Sequence, residues 1–274
     1  MRIYLYLFIL QFLLESSSFP DFIYSQTIIG EISLPSKEYH RIGIEQNSFA
    51  EYLRKLPLKN EGSEVINYRG GIFKSDSDTS VAFVVDLDIQ GRRLEQCMDI
   101  LVRLYADYLW RVNQNKNFIL PLPGGTWLKW RDWNAGFRPV FKGIDVSMIK
   151  SDQPDSSYNA YQSYLNTVYS ESHTQQFYHN YRPLERSEVQ IGDIIIKKGT
   201  KGHAIMIVDM AKDQKGNILA LIGNGDTPAC QFFLLNHAAD RPWIPLNFDK
   251  ETLDLPLKRK ISWDGLRRLS LPKD

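Results

Sequence analysis

Apolar residues fall into two kinds of pattern along this chain, and the two kinds occupy different halves. Leu94, Cys97, Met98, Leu101, Tyr105, Tyr108 and Leu109 recur three and four apart, which predicts an amphipathic helix across residues 92–114. Arg93, Asp99, Arg103 and Asp107 lie largely off that stripe. A shorter helix is predicted from "SFAEYLRKLPL": Ser48 caps it, Glu51 completes a capping box, Phe49, Tyr52, Leu53 and Leu56 share a face, and Pro57 ends it. "SSYNAYQSYLNTVYSES" predicts a third helix, with Tyr161, Tyr164, Leu165 and Val168 facing inward. Val81–Ile89 reads as a buried strand, apolar on both faces at its start. The C-terminal part is different. Four apolar runs, Ile194–Lys197, His203–Ala211, Ile218–Ile222 and Gln231–Leu235, have strand length, and "DQKGN" joins the middle two as a hairpin. Helices first and an antiparallel meander after them make the fold class α+β.

Between these halves, residues 115–155 are aromatic and punctuated by glycine and proline, as in "LPLPGG" and "WLKWRDWNAGFRP". A stretch of this length is expected to carry small elements or a function of its own. The first residues differ again. Met1-Arg2 precedes the apolar run Ile3–Leu14 and then the small residues of "ESSSF". That is the layout of a cleaved secretory signal, and the run is shorter than the roughly 20 residues a membrane span needs. The expected organisation is a signal over residues 1–25 and one α+β domain over 26–274, with the aromatic insertion inside it. The expected location is exported, in the periplasm or cell envelope, with no stable membrane span after cleavage.

The 274 residues carry a net charge of only +1, so charge gives no reason to expect nucleic acid as a partner. The two cysteines, Cys97 and Cys230, make no metal-binding spacing and no disulfide framework. Neither a metal nor a cofactor is expected. Chemistry concentrates instead in "GDIIIKKGTKGHAIMIVDMA", where Gly202 and His203 lead into an apolar strand. His203 reads either as a base held rigidly at the rim of a sheet, with Gly202 turning the chain sharply so that the ring projects into a cleft walled by the 93–114 helix and the Trp-rich loop, or as a turn residue satisfied by backbone. Asp193 reads as a turn former.

"SFAEYLRKLPL", "LEQCMDILVRLYADYL", "WRDWNAGFRP" and "IGDIIIKKGTKGHAIMIVDMA" are together similar to domain-of-unknown-function family 4846 of exported bacterial proteins, over nearly the whole mature chain. "GD…GHAIMIVD" also resembles, over a short stretch, the papain-like hydrolases of the NlpC and CHAP types, which cleave peptidoglycan peptides or related amides. That second resemblance implies a nucleophilic cysteine at the start of a helix, a histidine on a sheet packed against it, and a polar residue on the next strand to orient the imidazole. In this chain those roles would fall to Cys97, His203 and either Asn224 or Asp226, with Gln231 a further candidate. Against this, Cys97 is expected near the second helical turn and on the apolar stripe, where a cysteine behaves as a small hydrophobe.

Trp127, Trp130 and Trp133, with Arg138 after them, are candidates for substrate binding, because indoles stack on sugar faces; the same residues serve equally as core. His40, His173, His179 and His237 stand alone and receive no role. Two readings follow. One is an exported cysteine hydrolase or amidase acting on peptidoglycan or related peptides. The alternative is a non-catalytic envelope protein that binds glycan or peptide, or serves as a scaffold.

Overall fold

The computed structural model describes residues 27–238 and 241–270. The expected signal lies outside the described residues. Among the described residues eight strands form one antiparallel sheet: β1 (His40–Arg41), β2 (Val81–Val84), β3 (Ile194–Lys197), β4 (His203–Lys212), β5 (Ile218–Asn224), β6 (Phe233–Leu235), β7 (Trp243–Pro245) and β8 (Leu266–Arg267). The order across the sheet is β8-β3-β4-β5-β6-β2, with β1 added to β4 and β7 added to β5. Among the same residues the α-helices are α1 (Phe49–Arg54), α2 (Cys97–Arg111), α3 (Trp130–Asn134), α4 (Tyr158–Glu171) and α5 (Thr174–Asn180). The fold is α+β. Among the described residues no helix is long and apolar enough to cross a membrane.

β4 is the centre of the molecule. Its residues are buried from His203 to Ala211, because α1 and α2 pack against it and β3 and β5 flank it. A bulge between Ile207 and Asp209 shifts its register with β5. The bulge region holds a buried ion cluster. Asp209 is fully buried, and its two carboxylate oxygens each lie 2.7 Å from an arginine, Arg41 on β1 and Arg54 at the end of α1. Arg41 also donates to the Ile32 carbonyl and Arg54 to the Ile42 carbonyl. A buried carboxylate needs such partners, since desolvating it alone costs several kcal/mol. The cluster therefore fastens the N-terminal segment to the back of the sheet.

The predicted α1 and α4 form as the pattern requires. Ser48 accepts from the Glu51 N–H, and Tyr161, Tyr164, Leu165 and Val168 are buried on α4. Two elements differ. Val81–Ile89 is a strand only as far as Val84, and Val81–Phe83 are half-buried because β2 ends the sheet. The long helix begins at Cys97, five residues later than the apolar spacing predicts. Gly91 at φ +74° turns the chain, and the Asp99 carboxylate accepts from the Gln96 N–H at 3.1 Å, so the capping interaction fixes the start at Gln96–Cys97.

The aromatic insertion carries small elements. Ile119–Pro121 pairs with Trp127–Lys129, and Phe137–Lys142 pairs with Asp145–Lys150. Trp130 and Trp133 of α3 are 3% and 6% exposed and meet Tyr164 of α4 edge to face. The Tyr164 hydroxyl donates to the Leu128 carbonyl at 3.0 Å, which satisfies its polar end inside this aromatic layer.

Candidate active site

The sheet and α2 converge at the first residue of β4. Ile205 of β4 pairs with Asn224 of β5, and side chains two apart on a strand share a face. His203 is therefore a diagonal neighbour of Asn224 on one face. Its Nε2 lies 2.7 Å from Asn224 Oδ1, and its Nδ1 lies 2.8 Å from Nη1 of Arg259. A guanidinium only donates, so Nδ1 is the acceptor there. It follows that Nε2 carries the proton and donates to Asn224. The ring is thus neutral, with one defined tautomer and both nitrogens engaged.

Gly202 was expected to allow a sharp turn that leaves His203 exposed in a cleft. The structure differs on both points. Gly202 has no left-handed φ; a Cβ there would lie 2.9 Å from Thr174 Cβ, so the glycine answers a close approach by α5. His203 itself is fully buried, because Arg259 reaches over it.

Cys97 is the first residue of α2, in the first turn and not the second, and is 6% exposed. The backbone N–H groups of Ala204, the residue next to His203, and of Met98 act on its thiol, pulling the pKa down. Gly225, just after Asn224, lets the helix start come this close: a Cβ there would lie 2.6 Å from Ile100 Cγ2 and 3.5 Å from Cys97 Cα. Helix start, strand start and strand end thus place Cys97 beside Ala204 and Gly225, the residues that follow His203 and Asn224 in the chain.

Of the two residues expected to orient the ring, Asn224 touches it directly. Asp226 reaches it through Arg259, whose Nη2 lies 3.1 Å from Asp226 Oδ1. Asn224 is fully buried, and its Nδ2 is buried with no hydrogen-bond partner among the described residues.

The charges are set against ionisation. Burial, followed by the Arg259 cation, pushes the His203 pKa down to about 4, while the Asn224 bond and Asp226 act the other way. Burial, followed by the Asp99 carboxylate, pushes the Cys97 thiol up to about 11, which outweighs the backbone N–H bonds. Cys97 and Cys230 are both free thiols, and burial pushes Cys230 up to about 12. At neutral pH the site holds a thiol and a neutral imidazole.

The remaining candidates sit elsewhere. Trp130 and Trp133 belong to the buried aromatic layer, and half-buried Trp127 meets Tyr181 edge to face. Arg138 donates to the Trp133 and Phe137 carbonyls, pairs with Asp152 at 2.8 Å and lies 4.1 Å over the Trp133 ring, so it ties α3 to the following hairpin. Gln231 accepts from the Ile66 N–H at 3.0 Å. Asp193 accepts from the Gln190 N–H, as a turn former does, and also holds Arg268 at 2.7 Å. Among the described residues no group of three or more His, Cys, Asp or Glu side chains is placed to hold a metal. Arg259 is the residue the sequence hid. It lies 56 positions after His203, in "LPLKRKISW", where three basic residues in a row read as a solvated face.

A family model described as domain of unknown function (4846) matches residues 29–264. No curated protein matches the chain, and no solved structure matches it.

Proposed function

We propose that this chain, which belongs to domain-of-unknown-function family 4846, is an exported cysteine hydrolase or amidase acting on peptidoglycan or related peptides. The observation that carries the reading is the Cys97–His203–Asn224 arrangement: a cysteine at a helix start, against the residue that follows a histidine whose Nε2 is held by an asparagine. Nucleophilic catalysis needs those three parts within hydrogen-bond reach of one another. In the reaction, Nδ1 of His203 takes the Cys97 thiol proton, and the sulfur attacks the substrate carbonyl carbon. The imidazolium then gives its proton to the leaving amine as the C–N bond breaks. Water hydrolyses the resulting thioester with His203 again as base, which restores the thiol. Asn224 keeps the tautomer in which Nδ1 carries the lone pair. The substrate class rests on the papain-like resemblance of "GD…GHAIMIVD", and export rests on the apolar run after Arg2.

A peptidyl chloromethyl ketone tests the assignment of the nucleophile. It is expected to alkylate Cys97 and spare Cys230, and to fail with His203→Ala. Equal labelling of both cysteines only after unfolding would remove the enzyme reading.

One observation favours the alternative, a binding protein. Tyr52, Trp110 and Tyr158 wall a hollow of about 440 Å³ that also holds Asp107 and Arg111. Aromatic faces beside polar groups suit a saccharide. Binding of a soluble glycan fragment that is lost in Trp110→Ala and kept in Cys97→Ala would support that role.

A further inference from the structure

His203 has one lone pair, and in this structure Arg259 occupies it. A base in that state receives no proton from a thiol. The segment that delivers Arg259 is built unevenly. At its foot, the Leu253 N–H donates to the Ile261 carbonyl at 2.9 Å and the Trp263 N–H to the Glu251 carbonyl at 3.1 Å. Thr252 and Ser262 pair between them. Across its span, residues 254–260 make no backbone hydrogen bond among the described residues. Leu255 and Leu257 rest half-buried on the core, and Lys258 and Lys260 are exposed on either side of Arg259. A segment with a firm foot and few bonds across its span opens locally at low cost.

We propose that residues 254–260 form a lid, that Arg259 is its latch, and that opening hands the Nδ1 position of His203 from the Arg259 guanidinium to the Cys97 thiol. The proposal rests on the cysteine-hydrolase reading and makes Arg259 a positioning residue that acts through His203. The groups facing the ring are Asn224, Asp226, Arg259 and Lys197, the cross-strand partner of His203; Asp99 and Asp226 face the thiol. Only Arg259 both blocks the lone pair and places a cation beside the ring. Its departure removes the larger of the two cationic charges that oppose an imidazolium, Lys197 being the other. It also frees the Asp226 carboxylate from its arginine partner; that charge favours the imidazolium and, facing the thiol as well, partly offsets the gain there. The thiolate–imidazolium pair that the closed site disfavours becomes attainable in the open one.

The test is the rate of Cys97 alkylation by iodoacetamide between pH 5 and pH 9, in wild type, Arg259→Ala, Arg259→Lys and the double variant His203→Ala/Arg259→Ala. Arg259→Ala is expected to react at least about tenfold faster at neutral pH, with the pH midpoint of the rate moved down, because the thiolate fraction rises. Arg259→Lys keeps a donor and stays nearer wild type. The double variant falls back to a slow rate. Hydrogen exchange of the wild-type protein gives an independent reading: amides of residues 254–260 exchange fast while those of β4 stay protected. Unchanged alkylation in Arg259→Ala, or slow exchange of the span, overturns the lid. A double variant as fast as Arg259→Ala leaves the lid standing but removes His203 as the base, and the transfer and the hydrolase reading with it.

Discussion

Nε2 of His203 and Oδ1 of Asn224 lie 2.7 Å apart with both side chains fully buried, so among the described residues each is the other's partner out of water. Replacing Asn224 by Leu strands the imidazole N–H. The expected loss is about 1–3 kcal/mol of stability, the cost of an unsatisfied buried donor. Urea denaturation at pH 7.5 checks it. An unchanged midpoint would mean that the ring finds another acceptor and is not fixed by Asn224.

The buried, neutral His203 also sets a pH dependence. Its pKa of about 4 lies below the ordinary 6.5, so between those values the unfolded chain binds a proton that the folded one does not. Stability is therefore full above about pH 6.5 and falls as the pH drops toward 4, by up to about 3 kcal/mol for a shift of this size. Melting temperatures of wild type and His203→Gln across pH 4–7.5 test the sign. The wild type is expected to lose more stability on the acid side than the variant, and parallel curves would assign the acid sensitivity to other groups.

Asp209 gives a prediction of structure alone. Its removal leaves Arg41 and Arg54 without their buried carboxylate. Asp209→Ala is expected to cost about 3–5 kcal/mol, the usual penalty for breaking a buried ion cluster from one side. Limited proteolysis should show cleavage near β1 before the sheet opens. A variant as stable as wild type would show the cluster to be incidental.

Gly225 links stability to the site. A Cβ there would lie 2.6 Å from Ile100 Cγ2, on the helix that begins with Cys97. Gly225→Ala is expected to push the start of α2 outward, at about 1–3 kcal/mol for overpacking. The reactivity of Cys97 should change along with the melting temperature. A melt lowered without any change at Cys97 would mean that the helix yields elsewhere.

The parts that could be read from the sequence were those whose spacing repeats. α4 and the four C-terminal strands follow from burial on one face or both, and the structure returns all five, the third strand running two residues further to Asn224 and the fourth starting at Phe233 in place of Gln231. The start of α2 could not be read, because Leu94 continues the apolar stripe past the point where Gly91 and the Asp99 cap end the helix. That error moved Cys97 from a helix start into a helix interior and made it look like core. Arg259 was out of reach for another reason. Its role comes from a long-range contact with His203, and its neighbours Lys258 and Lys260 disguise it as one more surface charge. The three-residue repeat of Trp127, Trp130 and Trp133 was visible, but whether indoles face solvent or one another depends on α4, which follows them in the chain.

The account stands on Cys97 acting as a nucleophile with His203 as its base. The direct measurement is mass spectrometry of peptidoglycan stem peptides incubated with Arg259→Ala protein, with the lid latch removed, alone and with Cys97→Ala or His203→Ala added. Each variant's fold is checked by its melting curve. New fragments with free amine ends in the single variant, and none in either double variant at an unchanged fold, are the predicted result. Fragments that persist without Cys97 or without His203 would contradict it.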